Sequence, residues 1–266
     1  MTTTPRFLEI LVVGATGSVG RRVVDEALSM GHHVRVLVRD PMRARTFPEA
    51  VRRIVGDLTR PDTLGAATRG VNAIVFTHGS DASTHKILED VDYGGVRNVL
   101  TALEPGQRPH IALMTAIGVT NRAGSYNRQT QAPDWKRRGE RLLRASGLPY
   151  TIVRPGWFDD DEDDHSLPVF LQGDLRTAGT PRDGVVSRGQ IARVVLASLG
   201  SPAADRKTFE LVAKCGSEPS ALQALFARLD ADPEGQIDGA RDSDNMPLAG
   251  EPGRVVEDLA RLARRP

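Results

Sequence analysis

Residues Ile10 to Gly20 read Ile-Leu-Val-Val-Gly-Ala-Thr-Gly-Ser-Val-Gly, an apolar run that meets glycines at 14, 17 and 20. That order reads as a strand, a tight turn and the first turn of a helix. Glycine has no Cβ, so such a turn lets the backbone approach a pyrophosphate while the first N–H groups of the helix point at its charge. The arrangement constrains the fold strongly, because a strand that feeds a helix through this turn is the opening of a βαβ unit with parallel strands. Val19, Val23, Ala27 and Met30 recur at helical spacing and Gly31 follows as a C-terminal cap. Val34 to Val38 is then a β-branched strand, which completes the unit over residues 8–38.

The alternation continues along the chain. Strands are expected at Arg52–Val55, Val71–Phe76, Ile111–Met114 and Tyr150–Val153, the last ending at Arg154-Pro155. Helices are expected at Pro61–Thr68, Thr84–Leu103 and Asp134–Ala145, the last closed by Gly147. This βαβα order predicts an α/β fold of the doubly wound, Rossmann type: an open parallel sheet with helices on both faces. Beyond Gly156 the pattern weakens. Trp157–Asp183 reads as an acidic, irregular substrate-side segment. Gln190–Leu199 and Ser220–Leu229 read as helices, Thr208–Val212 as a late strand, and 230–253, rich in Asp, Gly and Pro, as an extended surface segment before a helix at Val255–Ala263. The chain is read as a single domain over 1–266, with 157–189 as a small substrate-side lobe and 213–266 as a C-terminal extension.

With 35 basic and 34 acidic residues among 266, the overall charge calls for neither nucleic acid nor an acidic membrane surface. A small-molecule partner fits better. The single cysteine, Cys215, excludes an internal disulfide and is expected to be a buried, inert thiol; the scattered histidines give no metal-ligand spacing, so no metal is expected. Residues 1–5 show no signal segment and no apolar run reaches the length that spans a bilayer, so a cytoplasmic protein with no membrane partner is expected.

The turn glycines Gly14, Gly17 and Gly20, with Thr16, Ser18 and Val19 between them, are the expected pyrophosphate contacts; the Thr16 and Ser18 hydroxyls suit phosphate binding or helix capping. At the end of the second strand, a carboxylate would hold a free ribose hydroxyl, whereas a 2′-phosphate needs positive charge. Here Arg39 and Arg43 flank Asp40, which favours NADP(H) over NAD(H), although Asp40 could turn into the carboxylate role. Asp57 and Leu58 end the third strand, where Asp57 suits the adenine amine. Thr77-His78-Gly79 ends the fourth; His78 suggests a proton donor, but a lone histidine there is more often packed or solvated. The run Asp159 to Asp164 lacks the glycine and alternating ligands of an EF-hand loop and reads as a solvated acidic flap.

The Gly14–Gly20 turn, Arg39-Asp40-Pro41, Gly56-Asp57-Leu58 and Ser146–Gly156 (Ser-Gly-Leu-Pro-Tyr-Thr-Ile-Val-Arg-Pro-Gly) together resemble the atypical short-chain dehydrogenase/reductase superfamily over roughly residues 8–212. Within it the chain is similar to NmrA-like and flavin or biliverdin reductase-like NAD(P)-binding proteins. The resemblance implies a Tyr four residues before a Lys on one helix face, with a hydroxyl at the end of the preceding strand. Lys136 matches the lysine, which by the resemblance contacts the cofactor's ribose or phosphate in either function below, and Thr115 matches the hydroxyl position, but Ala132 stands where the tyrosine belongs and Tyr126 is ten residues away from Lys136. By the same resemblance, Pro155 and Trp157 run past the nicotinamide, with Trp157 and Phe158 either an aromatic wall for a flat acceptor or core packing. Two functions follow. One is NADPH-dependent hydride transfer to a small planar or carbonyl acceptor such as a flavin or quinone, in a pocket between Thr115, Lys136 and Trp157. The other is a non-catalytic NADP(H)-sensing regulatory protein with a protein partner, its tail a contact surface. A nucleotide-sugar epimerase or dehydratase is weaker, because that chemistry leans on the missing tyrosine.

Overall fold

The computed structural model describes residues 7–80, 84–159, 167–217 and 219–264. The acidic run, apart from Asp159, lies outside the described residues.

Strand β1 (Glu9–Val13) alternates its side chains between two cores, as a strand's period of two requires. Ile10 and Val12 pack under one layer of helices with α1 (Ser18–Ser29) and α7 (Arg188–Leu199); Leu11 and Val13 pack under the other with α4 (Gly94–Ala102) and α6 (Ala132–Ala145). The layers therefore cover both faces, and β2 (His33–Val38), β3 (Arg52–Val55), β4 (Ala73–Phe76), β5 (His110–Met114) and β6 (Tyr150–Pro155) extend the sheet. Its order is β3-β2-β1-β4-β5-β6-β10-β8, where β8 is Leu167–Leu171 and β10 is Lys207–Lys214. All neighbours are parallel except β10 and β8. The expected Rossmann-type sheet is therefore present, with one antiparallel edge.

The order reverses between β1 and β4, which creates a crevice at the carboxyl ends of these strands. Val13 pairs with Leu37 on one side and Phe76 on the other, so β1, β2 and β4 end level with one another.

Four differences from the sequence reading have physical causes. The helical stretch that begins at His85 is not uniform: α3 (His85–Ile87) passes into a π-helical segment, Leu88–Tyr93, before α4. A short α5 (Ser125–Thr130) precedes α6, and Gln131, at φ 57°, makes the corner. The 157–183 stretch is less irregular than expected, since it holds β8 and also β7 (Trp157–Asp159), which pairs with β9 (Val185–Ser187). Cys215 is exposed rather than buried, because it lies just past the end of β10.

The largest correction concerns residues 230–253. The segment is extended, but four of its seven acids pair with arginines of the layer beneath: Asp232 lies against Arg144 (3.0 Å), Asp238 against Arg141 (2.7 Å), Asp242 against Arg154 (2.7 Å) and Glu251 against Arg138 (2.6 Å). Helix α9 (Gly253–Ala263) then buries Val255, Leu259 and Leu262 beside α6 and α4. Among the described residues, α8 (Gln223–Ala227) included, no helix is long and apolar enough to cross a membrane.

Candidate cofactor and active site

The β1–α1 turn folds as it does because of its glycines. Gly14 has φ 86°, and a Cβ there would sit 2.6 Å from the backbone nitrogen of His78; one on Gly20 would sit 2.2 Å from the Gly14 carbonyl oxygen. These two positions let β1, α1 and the end of β4 converge. Gly17 is the N-cap of α1, no side chain caps the helix, and its first turn carries no acid. The free N–H groups and the positive end of the helix dipole therefore remain available to an anion. The capping role open to Thr16 and Ser18 is not taken.

A cleft of about 810 Å³ opens in front of this turn. It brings together Gly14, Thr16 and Gly17 from the turn, Arg39 and Arg43 after β2, Asp57 and Leu58 after β3, and Thr77, His78 and Gly79 after β4. A volume of this size is that of an ordinary ligand site. The Asp40 carboxylate accepts the Met42 N–H at 2.9 Å, which ties it to its own turn and leaves two guanidiniums on that wall. Asp57 accepts the Thr59 N–H and hydroxyl, both at 2.8 Å. Burial opposes its ionisation, but these two bonds, with Arg39 and Arg60 nearby, hold its carboxyl below the usual range.

The sequence reading did not single out Leu37, Val38, Ser80, Ile87 and Val91, which also line the cleft. Ser80 was one residue beyond the quoted motif. Ile87 and Val91 are four apart on the helical stretch, a spacing that puts them on one face.

Other residues named above do not line the cleft with their side chains, although the first N–H groups of α1 are those of Ser18 and Val19. Ser18, Val19 and Gly20 are outside the lining: the Val19 side chain packs in the core, Gly20 sits against the Gly14 carbonyl, and Ser18 has only its place in the first helical turn to offer. Pro155 is buried within β6, and Trp157, 44% exposed on β7, does not line the cleft. Tyr126 is exposed and Ala132 buried, so no phenol replaces the missing one on the helix.

Thr115 and Lys136 do come together, but not around an open pocket. They border a void of about 10 Å³, room for roughly one water. The buried Thr115 hydroxyl donates to Glu140 at 2.7 Å, and the Lys136 ammonium pairs with Asp92. Trp157 does not border this void.

His78 borders both the cleft and the void. Burial pushes its imidazole down to about 4; Asp92 opposes that shift and Lys136 adds to it. The ring is neutral at pH 7, and because a carbonyl can only accept, its 3.0 Å contact with the Val91 oxygen fixes the Nε2–H tautomer. Buried Nδ1 has no hydrogen-bond partner among the described residues.

A family model described as NAD(P)H-binding matches residues 14–202, from the first turn glycine to the end of the α7 region. The chain belongs to this NAD(P)H-binding family. Among curated relatives, it is 28% identical over 248 residues to the chloroplastic protein TIC 62 of Pisum sativum, covering 83% of this chain and 46% of the relative. It is 29% identical over 227 residues to the photosystem II assembly factor Ycf39 of Trieres chinensis, covering 84% of this chain and 69% of the relative. The chain thus spans about half of one relative's length and about two thirds of the other's. Among solved structures, the oxidoreductase ylbE from Lactococcus lactis superposes with a TM-score of 0.68 at 17% identity, covering 85% of this chain and 100% of that one. The anaerobillin reductase ChuY from Escherichia coli O157:H7 superposes with a TM-score of 0.61 at 23% identity, covering 80% and 100%. These two structures share this chain's fold.

Proposed function

We propose that this chain is an NADP(H)-dependent oxidoreductase that passes hydride to a small planar or carbonyl acceptor. The observation that carries the reading is the wall of the cleft after β2, where Arg39 and Arg43 face the ligand space while Asp40 is committed to the Met42 N–H. That wall suits a 2′-phosphate; Asp40 lines it too, with one carboxylate oxygen held by the Met42 N–H between the two guanidiniums. In this reading the turn at Gly14–Gly17 and the first N–H groups of α1 hold the pyrophosphate. Thr16 backs it, Asp57 and Leu58 flank the adenine, and Thr77, His78 and Gly79 lead toward the nicotinamide end. A reduced nicotinamide bound there supplies hydride. The chain offers that end no tyrosine, and the Thr115 hydroxyl is spent on Glu140. Acceptors that take their proton from water, such as flavins and quinones, therefore fit better than carbonyls that need an enzymatic acid.

The reductase name of the ChuY neighbour supports the same class of acceptor. The test is calorimetric titration with NADPH and NADH, followed by panels of flavins, quinones and carbonyls monitored through loss of the reduced nicotinamide. NADPH binding stronger than NADH binding, with turnover on a planar acceptor, is expected.

A second reading, an NADP(H) sensor without turnover, is favoured by the water-sized void at Thr115 and Lys136. NADPH binding without oxidation by any acceptor, and capture of a partner by one cofactor form only, would support it.

A further inference from the structure

The loop that follows β5 is pinned at both ends to one buried network. At its start the Thr115 hydroxyl donates to Glu140 at 2.7 Å, and the Arg154 guanidinium donates to the same carboxylate at 2.7 and 3.0 Å. Arg154 also reaches Glu210 at 3.4 Å, and the second oxygen of Glu210 accepts the Asp174 N–H at 3.1 Å. The Asp174 carboxylate closes the circuit at the far end of the loop. It accepts the Gly118 N–H at 2.6 Å, the Thr120 N–H at 2.8 Å and the Thr120 hydroxyl at 2.9 Å.

This carboxylate is spent on the loop alone. Asp174 is 2% exposed and no cation among the described residues pairs with it, so the loop's own donors compensate its charge. Its backbone sits at φ 51°, in the left-handed region that Asp tolerates better than most residues and that persists where the surroundings over-determine it. The loop in turn needs such a partner. Gly118, at φ 81°, starts a turn that the Asn121 N–H closes on the Gly118 carbonyl at 3.0 Å, and neither the Gly118 nor the Thr120 N–H meets a carbonyl. Between the anchors, Ala116, Ile117 and Gly118 stay partly exposed while Val119 is buried.

The place of the loop gives this hold a function. The cleft runs from Arg39, Arg43 and Asp57 past the β1 turn to Thr77–Ser80, and His78, which lines it there, also borders the void at Thr115. A dinucleotide with its adenine at the first group lays its nicotinamide at the second, and an acceptor beyond it lies over the carboxyl ends of β5 and β6. The Ile117 N–H still pairs with the Pro155 carbonyl at 2.9 Å, so the loop leaves the sheet at those two strand ends. We propose that Asp174 is a positioning residue for the acceptor: by fixing the turn at Gly118–Asn121 it sets the wall that Ala116 to Gly118 present over the ends of β5 and β6. The proposal rests on the oxidoreductase reading above.

A merely structural carboxylate would, when removed, lower the fraction of folded enzyme and with it the apparent kcat, leaving KM alone. Loss of a positioning one raises the KM for the acceptor while NADPH binding stays intact. The probes are FMN and menadione, each with NADPH as reductant. Asp174→Asn is expected to raise the KM of the probe that wild type reduces about tenfold, the scale of a charge-assisted contact, with kcat within about threefold and NADPH affinity within about twofold. Thr120→Val removes only the hydroxyl bond and is expected to raise the same KM about threefold, whereas Thr120→Ser, which keeps it, should stay at the wild-type value. An unchanged KM with a fallen kcat, or NADPH affinity lost in step with KM, would overturn the proposal. So would equal KM values for Thr120→Val and Thr120→Ser, the comparison that decides should Asp174→Asn not fold. Wild-type protein that binds NADPH but reduces neither probe overturns the oxidoreductase reading and this proposal with it, whereas an unmoved KM in an active enzyme overturns the proposal alone.

Discussion

Arg39 and Arg43 are both exposed, and a phosphate placed between them gains two charge-assisted partners. Arg39→Ala is therefore expected to weaken NADPH binding by about 1–3 kcal/mol and to leave NADH almost unchanged, measured by calorimetry. Equal weakening of both would move the arginine away from the 2′-phosphate. The buried histidine gives a second test. Unfolded His78 protonates near 6.5, while the folded ring, between Asp92 and Lys136, holds off to about 4. Between those values the unfolded state binds more protons, so this group makes stability fall as the pH drops from 6.5 toward 4 and has no effect above. His78→Gln removes the dependence. The melting-temperature advantage of wild type over the variant should be flat above pH 6.5 and decline below it; an advantage that stays constant on acidification would place the neutral ring in doubt.

Helix α6 shows what can and cannot be read from a sequence. Its limits, its Gly147 stop and the lysine at 136 were legible, since caps and periodicity are local signals. Arg137, Arg141 and Arg144 carry full charges, yet their side chains are at most 2% exposed. The one available hint was their spacing of four and three, which puts them on a single face. Apart from the local Arg144–Glu140 pair, their acidic partners lie about 90 to 100 residues downstream, beyond any local pattern. The same limit hid the π-helical segment: Thr84 to Leu103 has helical periodicity, and nothing local announces a turn widened by tertiary contacts. The cleft was legible at strand ends, because β1, β2, β3 and β4 end where their glycines and polar residues begin; the closed space at Thr115 was not, because it depends on Asp92. Arg154 makes the element-scale prediction. It sits fully buried among Glu140 (2.7 Å), Asp242 (2.7 Å) and Glu210 (3.4 Å), and burial already pushes Glu210 up to about 7. Arg154→Met leaves these carboxylates without their shared cation, an expected loss of about 3–5 kcal/mol in urea unfolding. The exposed Lys86–Asp90 pair is the control, and Lys86→Ala should cost under about 1 kcal/mol.

At the scale of the whole molecule, the family match ends at residue 202, but the packing does not. Beyond it, β10 joins the sheet beside β6, and the 230–253 segment carries Asp232, Asp238, Asp242 and Glu251 to four arginines on α6 and β6. Helix α9 then reaches the π-helical segment, where Asp258 accepts the Tyr93 hydroxyl at 2.9 Å and Arg254 pairs with Glu89. A chain cut after Leu229 keeps every strand of the sheet, yet loses all of these partners at once. Arg138 and Arg141 would be left as uncompensated buried charges or open to water, Arg144 would keep only Glu140 and Arg154 only Glu140 and Glu210, and the summed loss exceeds what the marginal net stability of a folded chain leaves to spare. The 1–229 fragment is therefore expected to lack a near-ultraviolet circular dichroism signal and to unfold without a cooperative transition in urea. If it instead unfolds cooperatively with the native spectrum, the segment is an appendage and the arginines have other means of neutralisation. A fragment that fails as expected would also tie cofactor binding to the tail, since the tail packs on the helix that carries Lys136.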